Sequence, residues 1–433
     1  MSLKANFAWM LGSKFAFVAI TFVIHAVINR SLGPDGRGFL AEMQTWIGFF
    51  AVLCCMSMNT AIYHYSNKDK YNFTDGSKFV TVTALSLFYA VLGSMAFWLS
   101  VNSLPDTFSS NVIQYSQYII LLLFFTMLST DLMVFLQAAG HIRYSAFIVT
   151  VQSITGLLIV GLAFMFGHIN FVFLLIYMLI SQMVAVVMVL GGCLKSGFVN
   201  RKELFSKSLA WGLIRDGLKQ HVATVAGFVY TRINQLIVFH YCGEHDAGIF
   251  AVALNLAFSI LFLPMTLQAA LYPRVIHSSD DYEVTIKTLR LTFYGWGVAV
   301  ILAIIMAKPV LMIYGGEQFQ SAASAFQILM VAVWILPLSS MVAPFYVKKG
   351  AFLLASLSAI ALGIVSMLLN LFLVPRYRVL GAAIATSLTC FIGFVMVLVF
   401  LFYLSRRNPL RMFNPDFSEE IRWLKTRLSE GKK

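Results

Sequence analysis

The sequence predicts an all-α polytopic membrane protein in which about twelve transmembrane helices form two six-helix halves around a central cavity. Of its 433 residues, 60% are hydrophobic and only 11% are charged, and the mean hydropathy is +0.83. Soluble domains usually carry about 25% charged residues. A second observation is that long apolar runs follow one another along the whole chain, and a third is that one turn sequence occurs twice.

The apolar runs have the length of transmembrane helices. A bilayer core of roughly 30 Å requires about 20 apolar residues per helix, and strands would be about half as long. Backbone groups in lipid must also be hydrogen-bonded within the helix itself. Twelve such runs occur, near 7–29, 40–64, 79–101, 116–138, 145–166, 170–193, 219–241, 249–272, 288–309, 321–345, 351–374 and 382–405.

The distribution of positive charge predicts the orientation of these helices. If the N-terminus is cytoplasmic, 24 of the 31 Lys and Arg residues lie on the cytoplasmic side, five lie outside and two lie within spans. Positively charged loops are retained on the cytoplasmic side. Both termini are therefore predicted to be cytoplasmic. The net charge of +13 is explained by topology, so no nucleic-acid partner is expected.

The longest loop divides the spans six and six. Its apolar residues recur at helical spacing among basic ones, so we expect an amphipathic segment along the cytoplasmic interface. The C-terminal tail has the same pattern and is interpreted as a helix at the lipid surface, with a partner-binding helix as the alternative. The predicted units are an N-terminal bundle (1–194), a cytoplasmic linker (195–218), a C-terminal bundle (219–405) and a basic amphipathic tail (406–433).

The repeated turn indicates that the two halves are related. In "SLGPDGRGFLAEMQTW" Gly33 and Gly38 occupy the positions that Gly243 and Gly248 occupy in "YCGEHDAGIFAVALNL", at a constant offset of 210. Each turn follows the first helix of a six-helix half, on the predicted outer side. Halves that begin on the same side of the membrane are related by an axis along the membrane normal. We interpret these glycines as residues that permit tight reversals between helices.

Two cations lie inside predicted spans. An ionisable group in mid-bilayer costs about 2.5 to 3.5 kcal/mol on insertion scales, so each requires a partner or a water-filled cavity. Arg232 is deep in the seventh span with Asn234 and Gln235 nearby, which favours a cavity-lining role. Lys14 either lines the cavity or extends its long side chain to the cytoplasmic interface. Arg30, at the outer end of the first span, joins Asn234 and Gln235 as a candidate for a gate or rim.

Two carboxylates are candidates for coupling to an ion gradient or for charge pairing. Asp131, in the fourth span, either neutralises Lys14 or Arg232 or titrates and binds a cation during transport. Glu42, near the outer end of the second span, has the same two interpretations. The sequence leaves both alternatives open.

Prolines within spans are candidate hinges, because proline removes a helical hydrogen bond and kinks the helix. Pro264 lies in the eighth span, and Pro337 and Pro344 lie in the tenth. The sequence does not distinguish hinges from static kinks.

No metal site or cofactor is predicted. The five cysteines show no C-x-x-C spacing and are interpreted as packing residues. No phosphate-binding loop of the P-loop type is present in the sequence. Three histidines, His25, His221 and His240, lie in or at the ends of spans, and they are more typical of hydrogen-bonded packing residues than of a proton relay.

The chain resembles the polysaccharide-transport family, which includes the Wzx-type O-antigen flippases of the multidrug/oligosaccharidyl-lipid/polysaccharide exporter superfamily. The segments "SLGPDGRGFLAEMQTW", "FLQAAGHIRYSAF" and "VPRYRVLGAAIATSLT" carry the resemblance, together with the basic linker before the seventh span. The resemblance implies a transporter of the bacterial inner membrane. It would move an undecaprenyl-diphosphate-linked oligosaccharide, such as an O-antigen unit of lipopolysaccharide, from the cytoplasmic to the periplasmic leaflet by alternating access.

In such a protein the charged head group would bind in a cationic cavity, and only Arg232 and Lys14 match that role. The resemblance also implies membrane lipids and the polysaccharide polymerase machinery as partners, ion-gradient coupling, and no enzymatic activity. A drug or cation antiporter of the same superfamily is the first alternative, and its cavity would favour acidic and aromatic groups. A membrane polymerase or ligase is the second, but it would require a sizeable outer loop, and the predicted outer loops are all short.

Overall fold

The structure is a computed structural model, and it describes residues 3–66, 73–198, 205–266 and 280–414, with single positions at 268, 275 and 278. Within these ranges the side chains of residues 3–11, 13, 14, 347 and 352 are not described, so the predicted role of Lys14 lies outside the described residues. The described chain contains helices and turns and no strand.

Thirteen α-helices make up the described fold. They are α1 (Leu3–Cys54), α2 (Met58–Tyr65), α3 (Asp75–Ser103), α4 (Ser110–Gln114), α5 (Ser116–Ala138), α6 (Ile142–Met165), α7 (Phe171–Lys195), α8 (Lys207–Ser259), α9 (Asp281–Ile305), α10 (Ala307–Gly315), α11 (Ala322–Met341), α12 (Ala343–Lys348) and α13 (Phe352–Ser405). Short 3-10 turns at Pro105–Thr107, Glu317–Phe319 and Pro409–Phe413 complete it.

Three helices are too long for a single crossing. At 1.5 Å per residue, the 52 residues of α1 would extend about 78 Å, more than twice the bilayer core. The chain instead turns at Gly33, and residues 19 positions apart on either side of it, His25 and Gln44, line one cavity. In α8 the chain turns at Gly243, where Gln235 donates a hydrogen bond of 2.9 Å to the carbonyl of Ala247.

The third long helix, α13, turns at Arg378. Its φ of 51° lies in the left-handed region, which disfavours residues other than glycine. An ion pair of 2.7 Å from Arg378 Nε to Asp246 Oδ2 ties this turn to the turn after Gly243. Nine helices of the described chain are long and apolar enough to cross a membrane. Because three of them fold back, they supply twelve crossings, and the predicted fold class is confirmed.

The predicted linker is partly helical. Ser206 caps α8, where its side chain accepts a hydrogen bond from the Leu209 amide, and residues 207–218 continue directly into the seventh span. The tail is described only to Asn414, so its predicted amphipathic helix lies outside the described residues. Arg407 bonds to Asp280, at the start of α9, and holds the pKa of that carboxyl below its usual range. The boundaries of the four units remain predictions.

The apolar core is divided between the halves. One cluster of buried residues lies between Ile24 and Leu213, and a second runs from Ile237 to Ala383. A third cluster, between Val275 and Met412, lies at the end of the second half where α9 begins. Each half therefore buries apolar surface of its own, and Phe22 and Ala26 of the first half also pack against the second cluster.

The two repeated turns contact each other across the halves. A methyl group on Gly38 would overlap the carbonyl of Glu244, and one on Gly248 would overlap the carbonyl of Pro34. Since 34 + 210 = 244 and 38 + 210 = 248, each contact is the counterpart of the other. The turns therefore meet about an approximate two-fold axis, at the end of the bundle that we call the turn end.

The four repeated glycines have two different roles. Gly33 and Gly243 have φ of 67° and 83° and permit the chain to reverse, as the sequence predicts. Gly38 and Gly248 are helical and allow the two backbones to approach closely. The interpretation of Gly38 and Gly248 as reversal residues is therefore wrong. Asp35 and His245, also 210 positions apart, form a contact of 3.3 Å between Oδ1 and Nδ1.

The candidate hinge prolines differ in their surroundings. Pro264 follows a break in the helix at Ile260, and Pro344 follows the break at Val342 that separates α11 from α12. Pro337 is buried within α11, and that helix continues past it. A hinge role for any of the three remains a prediction.

The glycine contact predicts that small residues are required for closure of the turn end. In a chain without its five native cysteines, we expect Gly248→Ala to lower several-fold the yield of cross-linking between Asp35→Cys and His245→Cys. The added methyl group would overlap backbone atoms that cannot move independently. Gly227→Ala, on the same helix, is the control because its methyl group meets nothing within 4 Å. Equal yields in both variants would contradict the role of this contact.

Candidate functional site

A cavity of about 260 Å³ lies between the halves, which we call the interhalf cavity. The two arms of α1 and the two arms of α8 form its walls. Its lining residues are His25, Ala41, Gln44, Thr45, Gly48, Phe228, Arg232, Gln235, Ala251, Leu254 and Asn255. Among these described lining residues there is one arginine and no carboxylate.

Arg232 is the charged group of the interhalf cavity. It lies in the first arm of α8, and its side chain is exposed although the residue is far from both ends of that arm. Exposure at this depth results from the cavity beside it. No ion pair or hydrogen bond joins its guanidinium to any described residue. A rigid fork of donors without a partner is suited to a phosphate or carboxylate ligand.

The two polar neighbours of Arg232 are placed differently from each other. Gln235 lines the interhalf cavity, and its Nε2 donates to the carbonyl of Ala247. Asn234 is buried inside the second half, where its Nδ2 donates a hydrogen bond of 2.9 Å to Thr386 Oγ1. Neighbouring residues on a helix face different directions, so the structure brings Gln235 but not Asn234 to the cavity.

Arg30 joins the halves at the turn end. Its Nη2 donates to the carbonyls of Met312 and Ile313, at 3.1 and 2.9 Å, in the last turn of α10. Carbonyls at a helix C-terminus lack partners within the helix and attract cations. A hydrogen bond from the second half to the first adds to this contact, because Gln318 Nε2 donates to the carbonyl of Asn29 at 3.2 Å. This position is compatible with the predicted gate or rim role, which remains a prediction.

Both candidate carboxylates are buried, and neither forms an ion pair with a described cation. Glu42 accepts hydrogen bonds from the hydroxyl of Ser109 at 2.7 Å and from the indole of Trp46 at 3.2 Å. Its oxygens therefore hold the start of α4 against the second arm of α1. Asp131 is 2% exposed, and its Oδ2 has no hydrogen-bond partner in the described structure. Asp131 does not contact Arg232, with which the sequence allowed it to pair.

One buried cation was missed by the sequence analysis. In the predicted topology Arg37 is one of the five Lys and Arg residues on the outer side. In the structure it is 1% exposed, and its Nε and Nη1 have no hydrogen-bond partner among the described residues. It lies beside Gly38, which packs against the carbonyl of Glu244 in the other half. The repeat itself carried a signal, since the residue 210 positions later, Ala247, is apolar. The structure buries Ala247 completely.

No protein-family model matches the sequence, and no curated protein matches it. Several solved structures match its fold. An inward-facing multidrug resistance transporter of the MATE family, in the MOP superfamily, has a TM-score of 0.70 at 13% identity, with 89% of this chain and 95% of that chain covered. The lipid II flippase MurJ, in an inward closed conformation, has a TM-score of 0.64 at 14% identity. That match covers 94% of this chain and 89% of the MurJ chain.

A third solved structure is also similar to this chain. It is a MOP superfamily transporter from Pyrococcus furiosus, described as having a binding pocket of reverse polarity that suggests a different function. Its TM-score is 0.63 at 13% identity, and the match covers 92% of this chain and 96% of that one. The chain therefore has the fold of MOP superfamily transporters, with twelve membrane helices in two halves.

The burial of Arg37 predicts that this residue opposes closure of the turn end. Burying a charge without a partner costs several kcal/mol, so Arg37→Met is expected to increase several-fold the initial rate of cross-linking between Asp35→Cys and His245→Cys. Arg376→Met is the control, because Arg376 is exposed and stacks on Phe372. A rate that falls in Arg37→Met would show that the arginine stabilises the closed contact.

Proposed function

We propose that this protein is a flippase that translocates an undecaprenyl-diphosphate-linked oligosaccharide across the bacterial inner membrane by alternating access. The observation that carries the proposal is Arg232, exposed to the interhalf cavity without a partner, in a described lining that contains no carboxylate. A diphosphate offers several oxygens to a guanidinium fork. A cationic cavity reduces the free-energy cost of moving this anionic group through the membrane, while the lipid tail stays in the bilayer.

Alternating access requires that the cavity open to one side at a time. The turn end is closed here by the contact of Gly38 with Glu244 and by the hydrogen bonds of Arg30 to α10. The TM-score is 0.70 with an inward-facing MATE transporter and 0.65 with an outward-facing one. We propose that substrate enters from the end opposite to the turn end, which the charge distribution predicts to be cytoplasmic.

Coupling to an ion gradient is assigned to Asp131 in this proposal. Its buried Oδ2 has no partner among the described residues, so it is available to bind a proton or a cation. The oxygens of Glu42 already accept three hydrogen bonds, from Ser109 and Trp46. Glu42 is therefore the weaker of the two predicted candidates.

The remaining features of the proposal follow from the predicted orientation and substrate. Both termini would lie in the cytoplasm, and the translocated unit would pass to polysaccharide polymerase machinery on the periplasmic side. Lys14 stays a second predicted cavity cation.

Export of a cationic drug is the second candidate function. Multidrug transporters of the MATE family are among the similar structures. However, a cationic substrate requires a carboxylate or another anionic group, whereas the described lining of the interhalf cavity carries an arginine. The polarity of the cavity therefore favours the flippase.

The proposal predicts the phenotype of Arg232 variants. In cells that lack the gene, expression of Arg232→Ala should restore less than a tenth of surface polysaccharide, because the diphosphate loses a charged hydrogen bond of about 1.5 to 3 kcal/mol. Complete lipid-linked repeat units should accumulate on the cytoplasmic leaflet. Arg232→Lys should restore an intermediate amount, because the ammonium keeps the charge without the fork.

Arg376→Ala is the control, because Arg376 is exposed outside the interhalf cavity. Normal polysaccharide in an inserted Arg232→Ala protein would exclude Arg232 from the site. Flipped but unpolymerised units in the deletion strain would indicate a polymerase or ligase instead.

A further inference from the structure

A second cavity of about 250 Å³ lies within the first half, between α1, α6 and α7, and we call it the N-half cavity. Its polar lining residues are Thr21, His25, Gln44, Gln152, Ser153, Tyr177, Ser181 and Gln182. None of its described lining residues is Asp, Glu, Lys or Arg. The cavity is therefore rich in hydrogen-bonding groups but has no formal charge of the kind that Arg232 gives to its neighbour.

Three glutamines provide most of this hydrogen-bonding capacity. Gln152 Nε2 donates to the carbonyl of Ser181 at 3.1 Å, and Gln182 Oε1 accepts from the hydroxyl of Ser129 at 2.8 Å. These bonds fix both amides and leave the Oε1 of Gln152 and the Nε2 of Gln182 for a ligand. Gln44 forms no hydrogen bond with any described residue, so both ends of its amide remain available.

Tyr177 adds an aromatic surface to the same cavity. Its hydroxyl lies against Gly156, where any Cβ atom would overlap it. This contact fixes the phenol at its far end, and the ring belongs to the cavity wall. Close by, the hydroxyl of Ser153 donates to the carbonyl of Val149 at 2.8 Å and can still accept a hydrogen bond.

The N-half cavity adjoins the interhalf cavity. His25 and Gln44 line both, so the two cavities share a wall made by the two arms of α1. A ligand that occupied both cavities would pass the shared residues His25 and Gln44, with its anionic group at Arg232 and its other end near Gln152 and Gln182. Of the two cavities, one is cationic and the other is neutral and polar.

We infer that the N-half cavity binds uncharged sugar residues next to the diphosphate of the lipid-linked substrate. The inference rests on the proposed function. The donors and acceptors that these amides leave open match the hydroxyl and N-acetyl groups of neutral sugars. A cationic ligand would lack a carboxylate here and an acidic sugar would lack a cation. A lipid tail would offer no hydrogen bond to Gln44, to the Oε1 of Gln152 or to the Nε2 of Gln182, at a cost for each group that loses water.

The test compares two probes on the full chain in lipid nanodiscs by calorimetry. One probe is farnesyl diphosphate, and the other is farnesyl diphosphate linked to N-acetylglucosamine. The wild type is expected to bind the sugar-bearing probe about tenfold more tightly, because one or two added hydrogen bonds are worth about this factor. The double variant Gln152→Met/Gln182→Met should lose this advantage and bind farnesyl diphosphate as the wild type does.

Two variants serve as references. Gln117→Met, at an exposed position on α5, should bind both probes as the wild type does. Arg232→Gln should weaken both probes by a similar factor, because both carry the diphosphate. Binding of farnesyl diphosphate also reports that each variant is folded. If the double variant binds neither probe, the single variants Gln152→Met and Gln182→Met make the same comparison.

The outcomes separate this inference from the proposed function. Equal affinities of the wild type for the two probes, or a sugar preference that persists in the glutamine variants, would overturn the sugar site and leave the flippase proposal intact. If neither probe binds the wild type, the proposed function fails. Binding of free N-acetylglucosamine with the same dependence on Gln152 would assign the cavity to a soluble sugar and also overturn the inference.

Discussion

The close approach of Gly38 and Gly248 determines how the two halves meet at the turn end. Each glycine lies against a backbone carbonyl of the other half, so neither position can hold a side chain without separating the helices. In lipid, helix association depends on packing and hydrogen bonds, because the lipid chains are as apolar as the helices. Small residues at this contact therefore have a large effect on where the halves join.

The consequences of this contact extend into the molecule. It brings the two arms of α1 against the two arms of α8, and their polar faces enclose the interhalf cavity. Arg37, beside Gly38, is buried at the same end, and its Nε and Nη1 have no hydrogen-bond partner among the described residues. A closed state that contains such a group is less stable than packing alone would make it, which agrees with the proposal that this contact opens in alternating access.

Polar groups are distributed unequally between the two cavities. The interhalf cavity has a free guanidinium at Arg232, whereas the N-half cavity has three glutamines, hydroxyls and a tyrosine. A lipid-linked oligosaccharide has the same division, because an anionic diphosphate is joined to uncharged sugars. Asp131 lies in the lining of neither cavity, so the coupling role proposed for it does not involve direct contact with a ligand in either one.

The sequence by itself determined the environment and the fold class, because the length and hydropathy of each span follow from bilayer thickness and backbone hydrogen bonding. It also located Arg232, since a charge in an apolar run is conspicuous, and its repeated turn indicated two related halves. Tertiary structure decided what each charge contacts. The burial of Arg37, the use of Glu42 as a hydrogen-bond acceptor for Ser109, and the convergence of Gln44, Gln152 and Gln182 depend on contacts between residues far apart in the chain. Helical periodicity gives the face on which a residue lies, but only packing determines what lies opposite that face.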